Sequence, residues 1–278
     1  MVATGSSLRA RLEEQGYVVV PGVVPQQNLA AAVADIWRHT GAEPHDPHTW
    51  YRPDLVRPAG MVQMYHYQSL WDNRQHPRVH ATFADLWGTE RLWVTLDRAN
   101  LKPPAHAEHP EYDHKGFIHW DTDITTYPAI LFGVQGVLAL TDTDETMGGF
   151  QCVPEVYTNL ASWVDERRAS PAALAHPDFS AYPVTKVPLR AGDMVIWSTL
   201  LPHGNGYNVS SRPRLAQYIS MFPAPDDETA RRRRVESWQT NAAAPGFPDD
   251  PRNVEAARPA PAVLSELGRR LLGLDRWP

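Results

Sequence analysis

Cysteine is almost missing from this chain, which has only Cys152 among its 278 residues. One cysteine excludes an intramolecular disulfide and any zinc site built on several thiolates. The surrounding residues, 149–153, are typical of a strand. We therefore predict that the thiol is buried and has a packing role, in preference to a role as a nucleophile.

Long apolar runs are missing as well. The longest, residues 129–140, is interrupted by Gln135 and is too short to cross a bilayer. Residues 1–7 are polar and no apolar segment follows them, so we expect no signal peptide. These features predict a cytoplasmic protein without a membrane partner.

The chain also lacks an excess of basic residues. The formal net charge is −6, whereas a nucleic-acid surface needs clustered cations. The one basic run, residues 231–234, follows acidic residues 226–228, and we interpret it as the solvated face of a helix. A nucleic-acid partner is not expected, and the oligomeric state is not readable.

Short strands dominate the pattern after residue 91, whereas helices precede it. Apolar residues recur at helical spacing over residues 25–39, and residues 73–86 resemble another helix. Apolar segments bounded by Gly, Pro and Asn predict strands at residues 61–67, 92–101, 116–121, 130–140, 150–153, 184–189, 194–200 and 214–222. This pattern favours a mainly β sandwich or barrel with flanking helices.

No repeat or low-complexity linker divides the chain, so we predict a single domain over residues 1–278. Its core spans about residues 10–223. The remainder, 224–278, is predicted to be an extension with a Pro- and Ala-rich surface tail at 241–262 and a final helix.

The tripeptide His119-Trp120-Asp121 is the strongest candidate for chemistry. Side chains alternate along a strand, so His119 and Asp121 are expected on one face and Trp120 on the other. His203 would add a second imidazole where a strand meets a turn. Two histidines and one carboxylate bind Fe(II) and leave positions open for substrate and O2. With 12 histidines and 32 acidic residues in the chain, however, such a tripeptide also arises by chance.

Arg214 lies eleven residues after His203, at the start of a returning strand. The turn between them brings the arginine beside the histidine, where its guanidinium can bind a ligand carboxylate through two hydrogen bonds. Arg212 is a rival, but it precedes Pro213 within the turn. We therefore favour Arg214.

Together, His119, Asp121, His203 and Arg214 resemble the metal triad and co-substrate anchor of the phytanoyl-CoA dioxygenase family. The resemblance covers roughly residues 10–223, with further similar stretches at residues 14–22, 100–104 and 189–197. It implies a double-stranded β-helix, or cupin-like jelly roll, that uses Fe(II), 2-oxoglutarate and O2. It further implies hydroxylation of an unactivated C–H bond of a small-molecule metabolite, with release of succinate and CO2. Related halogenases lack the carboxylate, so Asp121 favours hydroxylation or another oxidation.

Three positions depart from the family pattern. Pro154 to Tyr157 stands where Pro-Gly-Ser-His is usual, Asn205 replaces a serine, and Val137 replaces an aromatic residue. None of these changes removes a metal ligand. They alter the expected 2-oxoglutarate pocket and give no support for a phytanoyl-CoA substrate.

Weaker candidates surround the triad. Asn100 and Asn205 are expected to hydrogen-bond 2-oxoglutarate, although each could equally satisfy backbone groups. Residues 43–67 and 155–182 are expected to shape the substrate site. Candidates for its lining, for which core or surface packing is an equal alternative, are Gln63, Tyr65, Gln135, Gln151 and Trp197.

Other functions remain open at this point. His106, His109 and His114 could build a zinc site, but their spacing matches no regular zinc pattern, and a mobile lid is the better interpretation. A non-catalytic jelly-roll binding protein is the main alternative to an oxygenase. A cupin-type hydrolase or isomerase is disfavoured because the H-x-H cluster of that class is missing.

Overall fold

The computed structural model describes residues 7–113 and 116–278. The helices are α1 (Leu8–Gln15), α2 (Gln26–Thr40), α3 (Gln68–Arg74), α4 (Pro77–Trp87), α5 (Pro154–Thr158), α6 (Leu160–Arg167), α7 (Pro171–Ala175), α8 (Glu228–Thr240) and α9 (Glu266–Leu272). The strands are β1 (Tyr17–Val20), β2 (Met61–Val62), β3 (Leu92–Val94), β4 (Ala99–Lys102), β5 (Val134–Ala139), β6 (Phe150–Cys152), β7 (Thr185–Lys186), β8 (Met194–Ser198), β9 (His203–Asn205), β10 (Arg214–Tyr218) and β11 (Met221–Pro223).

Two antiparallel sheets build the body of the protein. The larger has six strands in the order β1-β8-β5-β10-β4-β2, and the smaller has three in the order β7-β6-β9. Neighbouring strands are far apart in sequence, as in β10, which pairs with both β4 and β5. A two-stranded ribbon of β3 and β11 extends the structure.

The strands of the large sheet alternate their side chains between two cores. Val137, Val195 and Ala216 face inward and pack against Phe150 and Cys152 of the small sheet. The intervening residues face outward and pack with the helices; they include Leu138, Met194, Ile196 and Leu215. Burying one such aliphatic side chain contributes about 1.5–3 kcal/mol. The sequence pattern therefore fixes which face encloses the interior between the sheets.

Several predicted elements are shorter than expected. The predicted strand 92–101 is two strands, because β3 pairs with β11 whereas β4 pairs with β10. The predicted helix 73–86 is also divided, since Pro77 begins α4 and proline lacks the N–H that a continuous helix needs. The buried thiol of Cys152 is confirmed, and burial raises its pKa to about 12.

The predicted surface tail, residues 241–262, is instead packed against the segment that follows β2. The Glu255 carboxylate is buried and accepts hydrogen bonds from the backbone N–H groups of Tyr65, at 2.6 Å, and His66. Because these N–H groups bond to Glu255, they cannot pair with a neighbouring strand. The predicted strand 61–67 accordingly ends at Val62. The solvated-face interpretation of residues 231–234 is also wrong for Arg234, which donates to the Leu272 carbonyl at 2.9 Å.

His66 joins the C-terminal segment to the helices and is fully buried. Its Nδ1 lies 3.2 Å from the indole N–H of Trp71, which can only donate, so Nδ1 accepts and Nε2 carries the proton. Nε2 then donates to the Ala242 carbonyl at 3.0 Å. Burial and the nearby Arg74 charge lower the pKa of His66 to about 3.

This lowered pKa predicts acid destabilisation. Below pH 6.5 the unfolded chain protonates His66 whereas the folded protein does not until about pH 3, so the free energy of unfolding falls as pH drops through that window. The slope is about 1.4 kcal/mol per pH unit. Denaturant unfolding at pH 6.5 and 5.0 should show a loss about 2 kcal/mol larger in the wild type than in His66→Gln. Equal losses in the two proteins would contradict this assignment.

Among the described residues, none of the helices has the length and apolar character needed to span a membrane.

Candidate active site

The two candidate histidines are paired across a β-bridge. His119 N–H donates to the His203 carbonyl at 2.9 Å, and His203 N–H returns the bond at 3.0 Å. The predicted strand 116–121 is reduced to this one bridge within an extended segment. Gly204 permits the close approach, because a Cβ there would collide with the carbonyl oxygen of Phe117.

The expected alternation of side chains at the tripeptide is confirmed. Asp121 lies on the same side as His119, with its Oδ1 3.3 Å from His119 Nε2. Trp120 points the other way, donates to the Leu200 carbonyl at 2.7 Å and packs against Trp163. The indole therefore anchors the segment while its two neighbours face the interior.

The three side chains form a compact donor set. One ligand atom from each of His119, Asp121 and His203 lies within 4.8 Å of the others, and Asp121 Oδ2 is 3.4 Å from His203 Nε2. In an octahedral complex with bonds of about 2.1 Å, adjacent donors lie about 3 Å apart. The set therefore fits a facial site for one divalent ion with small adjustments. No other such group occurs within residues 7–113 and 116–278.

A hydrogen bond orients the His203 imidazole. His203 Nδ1 lies 2.9 Å from the Leu201 carbonyl oxygen, which can only accept, so Nδ1 is protonated and Nε2 presents its lone pair to the cluster. His119 Nδ1 is buried and has no hydrogen-bond partner within the described part of the chain. The two neighbouring imidazoles hold the pKa of the Asp121 carboxyl well below its usual range.

Gln135 fixes the orientation of the carboxylate. Its amide nitrogen donates to Asp121 Oδ2 at 2.7 Å, while its amide oxygen accepts from the Trp197 indole N–H at 3.0 Å. Because an indole N–H can only donate, the amide cannot be flipped. Oδ2 is thus engaged, which leaves Oδ1 as the freer oxygen.

Arg214 is buried close to this cluster, with 2% of its surface exposed. Its guanidinium donates to the side-chain oxygens of Asn205, at 3.1 Å, and Asn100, at 3.4 Å. Asn205 in turn donates to the Tyr218 hydroxyl at 2.9 Å. Arg214 makes no ion pair with any described residue, so its charge is met only by neutral amides. A buried cation of this kind favours binding of an anion.

Lys102 lies opposite Arg214 in the pairing of β4 with β10. It is buried, and its Nζ donates to the Gly206 carbonyl. Burial and the Arg214 charge lower the pKa of Lys102 to about 7. The last residue of β4 therefore places a second basic group, which was not a candidate from the sequence, beside the first residue of β10.

A cavity of about 380 Å³ opens over the cluster. Its volume is in the range of small-molecule sites. Polar groups of the cluster form its floor, and Asp97 and Arg98 are also part of the lining. The aromatic residues in its wall are Phe117, Phe150, Trp197, Tyr218 and Phe247.

Comparison with known proteins decides the family. The sequence profile described as phytanoyl-CoA dioxygenase (PhyH) matches residues 12–216. The chain belongs to the phytanoyl-CoA dioxygenase family. A relative from Dictyostelium discoideum, whose own name refers to phytanoyl-CoA dioxygenase, is 23% identical over 258 residues, covering 76% of this chain and 73% of the relative.

Solved structures confirm the predicted jelly roll. The non-heme α-ketoglutarate-dependent epimerase SnoN from nogalamycin biosynthesis has a TM-score of 0.52 at 22% identity, covering 93% of this chain and 94% of its own. The carbocyclase SnoK of the same biosynthesis has a TM-score of 0.53 at 22% identity, covering 82% and 91%. The predicted enzyme class, an iron- and 2-oxoglutarate-dependent dioxygenase, is likewise confirmed by the family match.

The departures from the phytanoyl-CoA dioxygenase pattern now have structural explanations. Asn205, in place of serine, is a direct partner of Arg214. Tyr157 does not line the cavity; its hydroxyl donates to the Glu13 carbonyl at 3.2 Å and so attaches α5 to α1. Val137 is part of the cavity wall, where the missing aromatic ring leaves space.

The proposed lining is confirmed only in part. Gln135 and Trp197 line the cavity, whereas Gln63, Tyr65 and Gln151 do not. Residues 43–67 supply only Ala59 and Met61. Residues 155–182 contribute nothing to it, because their apolar side chains pack against the outward side of Trp120 instead.

His106 and His109 take no part in the cluster. His109 stacks on Tyr51 with ring centroids 4.3 Å apart, and His106 contacts the same ring at 5.2 Å. Neither lines the cavity, and His114 lies outside the described residues. The structure therefore gives no support to a zinc site at His106 and His109.

The contact between Gln135 and Asp121 yields a testable prediction. Gln135→Leu should weaken Fe(II) binding about 10- to 100-fold, since supporting hydrogen bonds to metal ligands typically have effects of this size. Anaerobic titration with Fe(II) measures it. Trp197→Phe, which removes the N–H that holds the Gln135 amide along with part of the ring, should have a smaller effect in the same direction. Unchanged affinity in Gln135→Leu would show that the amide does not support the carboxylate.

Proposed function

We propose that this protein hydroxylates an unactivated C–H bond of a small-molecule metabolite. His119, Asp121 and His203 would hold Fe(II), and Arg214 would anchor 2-oxoglutarate. The observation that carries the proposal is the donor set of two histidines and one carboxylate at the floor of a cavity of about 380 Å³. Arg214, buried and without an ion pair to any described residue, donates to Asn205 of the cavity lining.

When bound, Fe(II), 2-oxoglutarate and O2 supply the oxidising power, with succinate and CO2 as co-products. The protein contributes geometry and electrostatics. The β-bridge between His119 and His203 sets the spacing of the imidazoles, and the Leu201 carbonyl keeps the His203 Nε2 lone pair directed at the cluster. Orientation of this kind lowers the cost of assembling the reactants.

Asp121 limits the possible outcomes. Three protein ligands leave three positions of an octahedron, which two oxygens of a 2-oxo acid and O2 would fill. A halide would need the position that the carboxylate takes. The arrangement therefore favours oxygen transfer to the substrate over halogenation.

Arg214 supplies the contact for the distant carboxylate of 2-oxoglutarate. Its guanidinium can exchange the two amide oxygens of Asn100 and Asn205 for a carboxylate, a stronger charged partner. Asn205 would then turn its amide to the bound acid while Tyr218 holds it in place. Asn100 also donates to the Ala59 carbonyl at 3.1 Å, so its structural role is the firmer of its two possible roles.

The size of the cavity, about 380 Å³, favours a small-molecule substrate. SnoN has been crystallised with Fe3+, α-ketoglutarate and nogalamycin RO, which shows that a protein of this fold accommodates a small molecule beside the co-substrate. The wall contains both aromatic rings and polar groups. A metabolite with apolar and polar parts fits this lining.

Oxygen-dependent succinate formation tests the proposal. The purified protein, supplied with Fe(II) and 2-oxoglutarate under air, should release succinate, and a substrate should stimulate release and gain one oxygen atom. Omitting iron is the matched control. Tight 2-oxoglutarate binding without iron-dependent succinate would favour the non-catalytic binding protein, and an unsaturated, rearranged or cyclised product would overturn hydroxylation alone.

A further inference from the structure

The C-terminal segment, residues 241–263, reaches the active-site cavity although it lies beyond the family match, which ends at residue 216. Phe247, in this segment, is part of the cavity wall. Gly246 precedes it with φ +93°, a conformation that side-chain-bearing residues rarely adopt. The turn at Gly246 thus directs the chain so that Phe247 faces the cavity.

Several contacts hold this segment in place after Phe247. The Tyr65 hydroxyl donates to the Pro248 carbonyl at 2.5 Å. Further along, buried Glu255 accepts from the backbone of Tyr65, and Arg258 donates to the His66 carbonyl at 3.1 Å. A segment fixed at so many points forms a defined wall of the cavity.

The ring of Phe247 has a fixed environment. The Arg98 guanidinium lies 4.9 Å from its centroid, and the ring of Tyr65 meets it edge-on at 6.1 Å. Phe247 is only partly buried by these neighbours. Part of its surface is therefore available to a molecule in the cavity, whose lining also includes the aromatic side chains of Phe150 and Trp197.

Charge in the cavity is balanced without the substrate. Asp97 and Arg98 pair with each other at 3.2 Å. A divalent metal ion and a dianionic 2-oxoglutarate would balance the single charges of Asp121 and Arg214. Neither Lys102 nor Arg214 is part of the lining, so the charged side chains that face a substrate there are those of Asp97, Arg98 and the donor set. A charged substrate would therefore have to be desolvated without an opposite charge to receive it.

We propose that Phe247 is a specificity-determining residue and that the substrate is an uncharged molecule with a flat ring system that packs on its ring. Hydroxyl or carbonyl groups on that molecule would meet the Asp97–Arg98 pair, which offers both acceptors and donors. This inference rests on the proposed function, since it assumes that metal and 2-oxoglutarate occupy the floor of the cavity. Aromatic contacts of this kind add stability beyond the burial of apolar area.

Calorimetric titration with 2-naphthol tests the inference. The full-length protein is first loaded with Fe(II) and 2-oxoglutarate without oxygen, so that the probe can enter only the remaining space. We expect 2-naphthol to bind, and Phe247→Ala to weaken binding about tenfold. Phe247→Leu keeps apolar volume but not a flat face and should lose severalfold. Val254→Ala, in the same segment but outside the lining, is the matched control and should bind as the wild type does.

The charge of the probe gives a second readout. 2-Naphthoate has the same ring system with a carboxylate and should bind at least tenfold more weakly than 2-naphthol. Three results would overturn the inference and leave the proposed function standing. The first is that Phe247→Leu and Phe247→Ala bind 2-naphthol as tightly as the wild type does. The others are tighter binding of 2-naphthoate than of 2-naphthol, and no binding of 2-naphthol by a properly loaded wild type. Failure of the protein to load with Fe(II) and 2-oxoglutarate would instead overturn the proposed function, and this inference with it.

Discussion

Asp121→Ala should lower iron-dependent succinate formation by more than about 100-fold, because the loss of a ligand should exceed the 10- to 100-fold effects typical of residues that only support ligands. The carboxylate is the one anionic member of the donor set. Without it, two neutral imidazoles would have to hold a dication. Metal binding and turnover should therefore be lost together, as measured by anaerobic Fe(II) titration and by succinate release.

The matched control for this substitution is Asp123→Ala. Asp123 lies two residues further along and accepts from Thr125 N–H at 3.0 Å, outside the cavity lining. Its loss should reduce stability by about 1 kcal/mol, as for other caps, but leave iron affinity intact. Undiminished iron binding in folded Asp121→Ala would remove the carboxylate from the metal site.

Arg214→Ala should raise the 2-oxoglutarate concentration needed for half-maximal turnover about 100-fold. A hydrogen bond to a charged group contributes about 1.5–3 kcal/mol, and the buried guanidinium would make two of them. Iron affinity should change little, since Arg214 does not belong to the donor set. The measurement is succinate formation against 2-oxoglutarate concentration, alongside Fe(II) titration.

Two variants sharpen this second prediction. Arg214→Lys keeps the charge but loses the planar fork, so it should also require more 2-oxoglutarate. Arg212→Ala removes the rival cation, which is largely exposed and lies 3.7 Å from Asp144, and should behave as the wild type. An unchanged requirement in Arg214→Ala together with an increase in Arg212→Ala would move the anchor to Arg212.

The donor set could be predicted from the sequence because it depends on a local pattern of residues. Alternation at His119 and Asp121 needs only an extended backbone, and the structure has that backbone although His119 forms only an isolated β-bridge. The position of Arg214 could be predicted for a similar reason, since a strand that returns after a short turn must begin near the preceding strand. Iron binding by the donor set and 2-oxoglutarate binding by Arg214 both remain predictions, which the experiments above test.

The cavity walls were much harder to predict, because they depend on contacts between distant parts of the chain. Glu255 meets the backbone of Tyr65 from 190 residues away, and nothing in the Pro- and Ala-rich sequence of that segment indicates a buried carboxylate. The same contact brings Phe247 to the cavity. Gln135 was a candidate for the cavity wall, but its hydrogen bond to Asp121 depends on how β5 lies beside the tripeptide, which the sequence does not indicate.

The division of the chain into a core of residues 10–223 and an extension of 224–278 remains a prediction. The structure shows that the extension is packed on the core: α9 contributes Leu271 and Leu272 to the same apolar cluster as Leu92 of β3. Removal of residues 241–278 would therefore expose core surface and remove one wall of the cavity.

The most direct test of the central claim is anaerobic addition of Fe(II) and then 2-oxoglutarate to the wild-type protein, followed by visible absorption. A metal held by His119, Asp121 and His203 and chelated by a 2-oxo acid should give a weak charge-transfer band that saturates at one iron per chain and is absent in His203→Ala. A wild-type protein that shows no band, or a band of equal strength in folded His203→Ala, would contradict the assignment of this cluster as the iron site.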